Sequence, residues 1–270
     1  MTSTYEEVYA DWQKDPEGWW AKAAEDVRWF KKWDHVLTNP KENFYNWFEG
    51  GEMNTCFNAV DRHVEEGRAD QLALIYDSPI TGKQRKFTYA ELKAKVAKFA
   101  GVLRAHGVEK GDRVIIYMPM VPQAVIAILA TSRIGAVHSV VFGGFAANEL
   151  AHRINDAQPK VIVSGSCGIE PGRIVEYKPL LDAAIDMADH KPDACIILQR
   201  KEAIAPLIEG RDVDWKEAMD SAEPVEECVP VKATDPLYIL YTSGTTGEPK
   251  GVVHDNGGHL VALKWTMSNI

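Results

Sequence analysis

The stretch GDRVIIYMPMVPQAVIAILATSRIGAVHSVVFGG, residues 111–144, decides the fold. It opens with Val114-Ile115-Ile116-Tyr117-Met118, a short apolar run of the kind found in strands buried on both faces. Pro119 ends that run. Pro122 suits the first turn of a helix that continues to about Ile134, and Gly135 stands just beyond its end. Val137 to Val141 then reads as a second strand. A strand, a helix and a strand in so few residues imply parallel pairing, because the chain must return to the same end of the sheet before the next strand starts.

The alternation extends in both directions. Upstream, Leu72 to Tyr76 reads as a strand and Thr81-Gly82 as a turn. Thr88 and Glu91 form a capping box, after which Tyr89, Leu92, Val96, Phe99 and Leu103 recur at helical spacing as far as Gly107. Downstream, helices are expected over 147–156 and 176–188, and strands over 161–164 and 194–198. Residues 201–233 are acidic and carry Pro206, Pro224 and Pro230. They read as a connector with one short helix near Trp215. A last helix is expected over 259–268. The fold class that follows is α/β: a mostly parallel sheet with helices on both faces, with binding sites beyond the carboxyl ends of the strands.

Residues 1–60 are different in kind. They hold Trp12, Trp19, Trp20, Trp29, Trp33 and Trp47. Trp19, Ala23, Val27 and Phe30 fall on one helical face, widened by Trp20, Ala24 and Trp33. A stacking platform for single-stranded nucleic acid would need more positive charge among the rings. An amphipathic helical arm that packs its rings on a larger body fits better.

Composition narrows the rest. A chain of 270 residues allows one large or two small domains. A net charge of −9 without a basic stripe argues against a nucleic-acid partner. Cys56, Cys167, Cys195 and Cys228 stand far apart in sequence and form no C-x-x-C pattern, so neither a zinc site nor a disulfide framework is expected. A reducing compartment, the cytoplasm, follows. No apolar run approaches the roughly 18 residues a membrane span requires, and no leader pattern opens the chain.

Near the end lies Tyr241-Thr242-Ser243-Gly244-Thr245-Thr246-Gly247-Glu248-Pro249-Lys250-Gly251. The β-prone Leu237 to Leu240 precede it and Val252-Val253 follow, so it reads as strand, loop, strand. Glycines let the backbone approach a ligand closely, and successive N–H groups and hydroxyls form an anion-binding concavity. With the Lys250 ammonium this makes a polyphosphate cradle, although a flexible Gly/Thr loop has the same composition. It is not a Walker A loop, because a proline precedes the lysine and a strand follows it.

The wording of that stretch goes further than its composition. YTSGTTGEPKGVVH, residues 241–254, resembles the phosphate-loop signature of the adenylate-forming superfamily of acyl-CoA synthetases, peptide-synthetase adenylation domains and luciferases. Thr88-Tyr89-x-Glu91-Leu92 and Gly107-Val108-x-x-Gly111-Asp112-Arg113-Val114 are similar to the same superfamily. Arg133 to His138 with Val141 to Phe145 resemble its acetyl- and propionyl-CoA synthetase branch. So do the tryptophan pattern from Trp19, the Phe44 to Phe48 stretch, and Asn54, Asn58, Asp61 and Arg62.

The resemblance covers nearly the whole chain. It implies an N-terminal extension of the acetyl-CoA synthetase type over 1–60 and a partial AMP-binding domain over 61–270. It also implies an AMP-forming ligase that joins a short-chain carboxylate, acetate or propionate, to coenzyme A through an acyl-adenylate. ATP phosphates would be held by Thr242, Ser243, Gly244, Thr245, Thr246, Gly247 and Lys250, with Mg²⁺ accompanying the nucleotide. CoA would lie near Gly144 and Arg173. A second arginine of the family falls on Glu170 here, and Gly168 to Arg173 resembles propionyl-CoA synthetases more closely. No catalytic residue and no metal ligand is implied within these residues. The acyl pocket, hinge and small C-terminal domain would follow Ile270, so the chain is expected to be an N-terminal fragment, inactive alone, with the remaining C-terminal portion as a partner. A non-catalytic nucleotide-binding module or decayed fragment is the alternative. His254 reads as a histidine packed beside the site, and Cys167 as structural.

Overall fold

The computed structural model describes residues 4–242 and 249–269. In chain order, α1 (Tyr5–Lys14) and α2 (Pro16–Ala24) lead to β1 (His35–Lys41), β2 (Phe44–Glu49) and β3 (Glu52–Met53). Two π-helical turns, Phe57–Asp61 and Val64–Arg68, precede β4 (Leu72–Ser78), β5 (Lys83–Thr88) and α3 (Tyr89–Ala105). Next come β6 (Arg113–Met118), α4 (Pro122–Arg133), β7 (Val137–Phe142), α5 (Ala147–Ala157) and β8 (Val161–Gly165). After these follow β9 (Cys167–Glu170), β10 (Arg173–Glu176), α6 (Tyr177–Met187), β11 (Ala194–Leu198), β12 (Asp212–Asp214) and α7 (Trp215–Ser221). The chain continues through β13 (Val231–Lys232), β14 (Pro236–Thr242), β15 (Lys250–Asp255) and α8 (Gly257–Asn269). It divides into two compact units, one of Thr55–Val229 and Pro236–Val253, the other of Met1–Asn54, Pro230–Asp235 and His254–Ile270.

The larger unit is built on a seven-stranded sheet of order β12-β11-β8-β6-β7-β14-β15. Neighbouring strands from β12 through β14 pair in parallel. The two-residue period of the strands sorts the core. Val114, Ile116 and Met118 of β6, with Val161, Val163 and Ile196, pack against α3, α4 and α7. Ile115 and Tyr117, with Ile162, Cys195 and Ile197, pack against α5 and α6. Neighbouring residues of one strand therefore bury opposite faces, and each large aliphatic side chain so buried contributes about 1.5–3 kcal/mol. The α/β class expected from residues 111–144 is the observed one.

Local signals act where expected. The Thr88 hydroxyl accepts the Glu91 N–H at 3.2 Å and the Glu91 carboxylate accepts the Thr88 N–H at 2.9 Å, closing the capping box of α3. Gly135, at φ +74°, stops α4. Expected and observed helix and strand limits agree to within two residues for β6, α4, β7, α5, β8, α6, β11 and α8. The β9–β10 hairpin was not foreseen. Its four pairs run from Arg173↔Glu170 to Glu176↔Cys167 around Pro171-Gly172, and strands of four residues leave too short a pattern to read.

Long-range chemistry ties the start of this unit to its connector. The Arg133 guanidinium, fully buried, donates to both Asp61 oxygens at 2.7 and 2.9 Å. It also donates to the carbonyls of Val225, at 2.6 Å, and Glu226. Cys56 and Cys228, 172 positions apart by subtraction, meet here, with their sulfurs and an Asp61 oxygen all within 4.8 Å. Three such atoms would suit a metal ion, but Arg133 Nη1 already stands 3.7 Å from the Cys56 sulfur and supplies the positive charge.

In the smaller unit, β1 and β2 form an antiparallel hairpin with Leu37 opposite Trp47. Ala24, Val27, Phe48, Met53, Ala233 and Val261 make its core, flanked by Trp20, Trp29, Trp33 and Trp47. The tryptophans thus pack on one another and on aliphatic neighbours. The single helical stripe expected from Trp19 to Phe30 stops at Ala24. The Trp29 indole N–H donates to the Ala24 carbonyl at 2.9 Å and fixes the chain as it leaves α2.

Candidate functional site

Because β14 runs parallel to β7, and β7 to β6, the carboxyl ends of all three reach one rim of the sheet. Two candidate loops start from that rim. One follows Thr242 and the other follows Phe142. This is where ligands bind in sheets of this type.

The stem of the first loop is held on both sides. The Ser139 hydroxyl donates to the Ile239 carbonyl at 3.0 Å, and the rings of His138 and Tyr238 stack 5.5 Å apart. The Tyr241 hydroxyl donates to Asp156 on α5 at 2.5 Å, and the Arg153 guanidinium lies over its ring at 5.3 Å. Burial and the Asp156 carboxylate push the Tyr241 phenol well above its ordinary range, so it stays a donor. On the returning strand, a Cβ at Gly251 would stand 3.0 Å from Ile239 and 3.2 Å from Tyr241, closer than most contacts allow. Thr242 and Lys250 are exposed at the two stem ends. Ser243, Gly244, Thr245, Thr246 and Gly247 lie outside the described residues.

The second loop is organised by two tyrosines. Gly144 has φ +92° and donates its N–H to the Tyr117 hydroxyl at 3.1 Å, while that hydroxyl donates to the Phe145 carbonyl at 2.9 Å. Burial pushes the Tyr117 phenol up to about 12. The ring of Tyr177 fills the space beside the glycines. A Cβ at Gly143 would come within 2.6 Å of that ring and 2.8 Å of the Met118 carbonyl, and one at Gly168 would overlap the Tyr177 hydroxyl. The absence of a side chain at Gly143 therefore serves an internal ring. Next to the loop lies a cleft of about 350 Å³ lined by Met118, Val121, Phe142, Gly143, Tyr177 and Glu170, among others.

Arg173 stands on the β9–β10 hairpin, 70% exposed, and Glu170 holds it at 2.6 Å. Glu170, on which the resemblance implies a second arginine, is thus the counter-ion of Arg173. An exposed pair of this kind is worth at most about 1 kcal/mol, so the guanidinium is restrained only weakly. His254, in the smaller unit, packs edge-on against His259 with ring centres 5.4 Å apart, beside a cavity of about 370 Å³ lined by Trp20, Trp47, Phe48 and Asp255. Burial lowers the His259 pKa, as does the nearby His254.

Comparison with known proteins gives this geometry a context. The profile of the family described as AMP-binding enzyme matches residues 60–269. The chain belongs to that family. A second profile, acetyl-coenzyme A synthetase N-terminus, matches residues 5–59. Among relatives of this chain is the human acyl-CoA synthetase short-chain family member 3, named as mitochondrial. It is 52% identical over 269 residues, 99% of this chain and 39% of the relative. The acetyl-coenzyme A synthetase of Rubrobacter xylanophilus is 44% identical over 96% of this chain and 40% of its own length. The solved acetoacetyl-CoA synthetase from Streptomyces lividans superposes with a TM-score of 0.85 at 30% identity, over 96% of this chain and 39% of that one. The chain spans about two fifths of the length of these relatives. Among the described residues, no helix is long and apolar enough to cross a membrane.

What the sequence left unread were the anchors. Tyr117 and Tyr177, and the Tyr241–Asp156–Arg153 group, position both loops. The one local signal was a tyrosine in an otherwise aliphatic strand, Val114 to Met118.

Proposed function

We propose that this chain is the N-terminal part of an AMP-forming acyl-CoA ligase for a short-chain carboxylate such as acetate or propionate. In the whole enzyme the carboxylate attacks the α-phosphate of ATP, giving acyl-adenylate and pyrophosphate. The thiol of coenzyme A then takes the acyl group and releases AMP. The observation that carries this reading is the 52% identity to a short-chain acyl-CoA synthetase over 99% of the chain.

In this reading, the amides and hydroxyls of Thr242, Ser243, Gly244, Thr245, Thr246 and Gly247, with the Lys250 ammonium, take up charge that builds on the leaving pyrophosphate. The anchored Tyr241 and the tight packing at Gly251 support it, because a stem fixed in advance lowers the cost of ordering donors around phosphate. Mg²⁺ enters with ATP as part of the substrate, held chiefly by phosphate oxygens and water. Thr242 and Lys250, at the stem ends, are not carboxylates and supply no metal cage. Gly144 and Arg173 face CoA, the arginine through a phosphate. We assign residues 1–60 to an acetyl-CoA-synthetase-type extension and 61–270 to a partial AMP-binding domain, with the cytoplasm as the compartment and no nucleic-acid or membrane partner.

Titration calorimetry of Mg·ATP into the 270-residue chain, and into a Lys250→Ala/Thr245→Ala variant, tests the proposal. We expect binding by the parent and at least about tenfold weaker binding by the variant, the loss equivalent to one charge-assisted contact. No binding by the parent, or equal binding by both, overturns it.

A further inference from the structure

A second polar cleft, of about 160 Å³, opens on the larger unit and shares Tyr76, Val121 and Arg200 with the cleft beside Gly143. Its walls carry Lys83 and Arg85 from β5, Arg200 and Lys201 from the segment after β11, Gln123 from the first turn of α4, and Glu202. Four cations face one carboxylate on a chain whose net charge is −9. Such a concentration in a concave, polar pocket favours an anion.

Three further observations point the same way. Arg200 is fixed: its N–H is accepted by the Ser166 hydroxyl at 2.8 Å and its guanidinium donates to the Cys167 carbonyl at 3.0 Å. Arg85 and Lys201 form no ion pair among the described residues and are exposed, so their charge remains available. The Val121 N-cap of α4 gives no side-chain acceptor to the first turn, Pro122 carries no N–H and the Ala124 N–H goes to the Val121 carbonyl at 3.0 Å, so what the twelve-residue helix adds at the cleft is its dipole.

The cleft already holds an anion of its own. The Glu202 carboxylate, 20% exposed, lies 3.7 Å from the Lys83 ammonium. Burial alone would raise its pKa, yet the net shift is downward, through its own backbone N–H and the charges of Lys83, Arg200 and Lys201. The three cations contribute to that lowering after the backbone N–H.

We propose that this cleft binds a phosphate group, either a free diphosphate or the terminal phosphate of a larger ligand. Two guanidinium forks match tetrahedral oxygens, the lysines add point charge, and the α4 dipole adds to both. The volume suits phosphate or diphosphate and leaves a nucleoside to the neighbouring cleft. Glu202 competes for the same cations. None of the cations belongs to the loops assigned to ATP or CoA, so the pyrophosphate arm does not rest on the ligase reading; the bisphosphate arm does, because the neighbouring cleft adjoins Gly143.

The test is calorimetry of the full chain with inorganic pyrophosphate and, separately, with adenosine 3′,5′-bisphosphate, at low salt and with saturating Mg·ATP present. Arg85→Ala/Lys201→Ala should weaken binding by about tenfold or more, and Glu202→Gln should tighten it severalfold. Damage to the fold cannot produce the gain. Binding of pyrophosphate alone identifies a free diphosphate as the ligand; binding of both identifies a terminal phosphate. The proposal is overturned if neither probe binds, if binding disappears with Mg·ATP present, or if both variants bind as the parent does.

Discussion

Replacing Asp61 by Ala removes the acid that pairs with Arg133. Both side chains are nearly dry, Arg133 at 0% and Asp61 at 5% exposure, and two bonds of 2.7 and 2.9 Å join them. Two unit charges about 4 Å apart interact by about 4 kcal/mol at an effective dielectric constant of about 20. Breaking a buried pair by deleting one partner costs about 3–5 kcal/mol, because the remaining charge is stranded. The two figures agree, and we expect Asp61→Ala to cost about 4 kcal/mol. The Val225 and Glu226 carbonyls still accept from Arg133 and limit the loss. Lys93, 3.4 Å from Asp61, does the reverse: without the acid, two cations are left close together. Urea unfolding of the whole chain, followed by circular dichroism, measures the change as a lowered midpoint at constant slope. The double variant Asp61→Leu/Arg133→Met should lose less than Asp61→Ala, since no charge is then left unpaired. A loss below about 1 kcal/mol for Asp61→Ala, or a double variant that costs as much as the two single changes added together, would refute the reasoning.

Three more perturbations test other parts of the fold. Gly143→Ala drives a methyl against the Tyr177 ring and the Met118 carbonyl, and should cost about 1–3 kcal/mol in urea, while Gly144→Ala should cost stability mainly through its φ of +92°. Tyr241→Phe deletes the bond to Asp156 and should cost about 1 kcal/mol; under the ligase reading it also weakens Mg·ATP binding measured by calorimetry. Asp212, with its side chain fully buried, lies 2.8 Å from Lys178 and 2.7 Å from Arg211. Burial alone would raise its pKa, but hydrogen bonds from Arg211 and Lys178 hold it below the ordinary aspartate value. Its stabilisation is therefore present above the ordinary aspartate range and is lost as pH falls through the lower folded value. Asp212→Asn should destabilise the protein near pH 7 and flatten the acid limb of stability against pH; an acid limb as steep as the parent's would count against this account.

By itself the sequence determined what depends on neighbours along the chain. The run Val114 to Met118, the Pro122 start and the Gly135 stop each follow from backbone geometry and side-chain period. So does the Thr88–Glu91 capping box, and a window of a dozen residues holds all the information needed. The strands that flank residues 243–248 were legible for the same reason, since Leu237 to Leu240 and Val252-Val253 are contiguous β-prone runs. Tertiary structure alone decided the partners. Asp61 and Arg133, Tyr177 and Gly143, and Lys83 and Glu202 are separated by tens of residues or more, and which of them meet depends on strand order and on which face each side chain enters. The same holds for Glu170 and Arg173. Three residues apart, they become an ion pair only because a hairpin of two four-residue strands folds them back on each other. Packing and electrostatics act through space, and no local pattern records a contact that exists only once the sheet has formed.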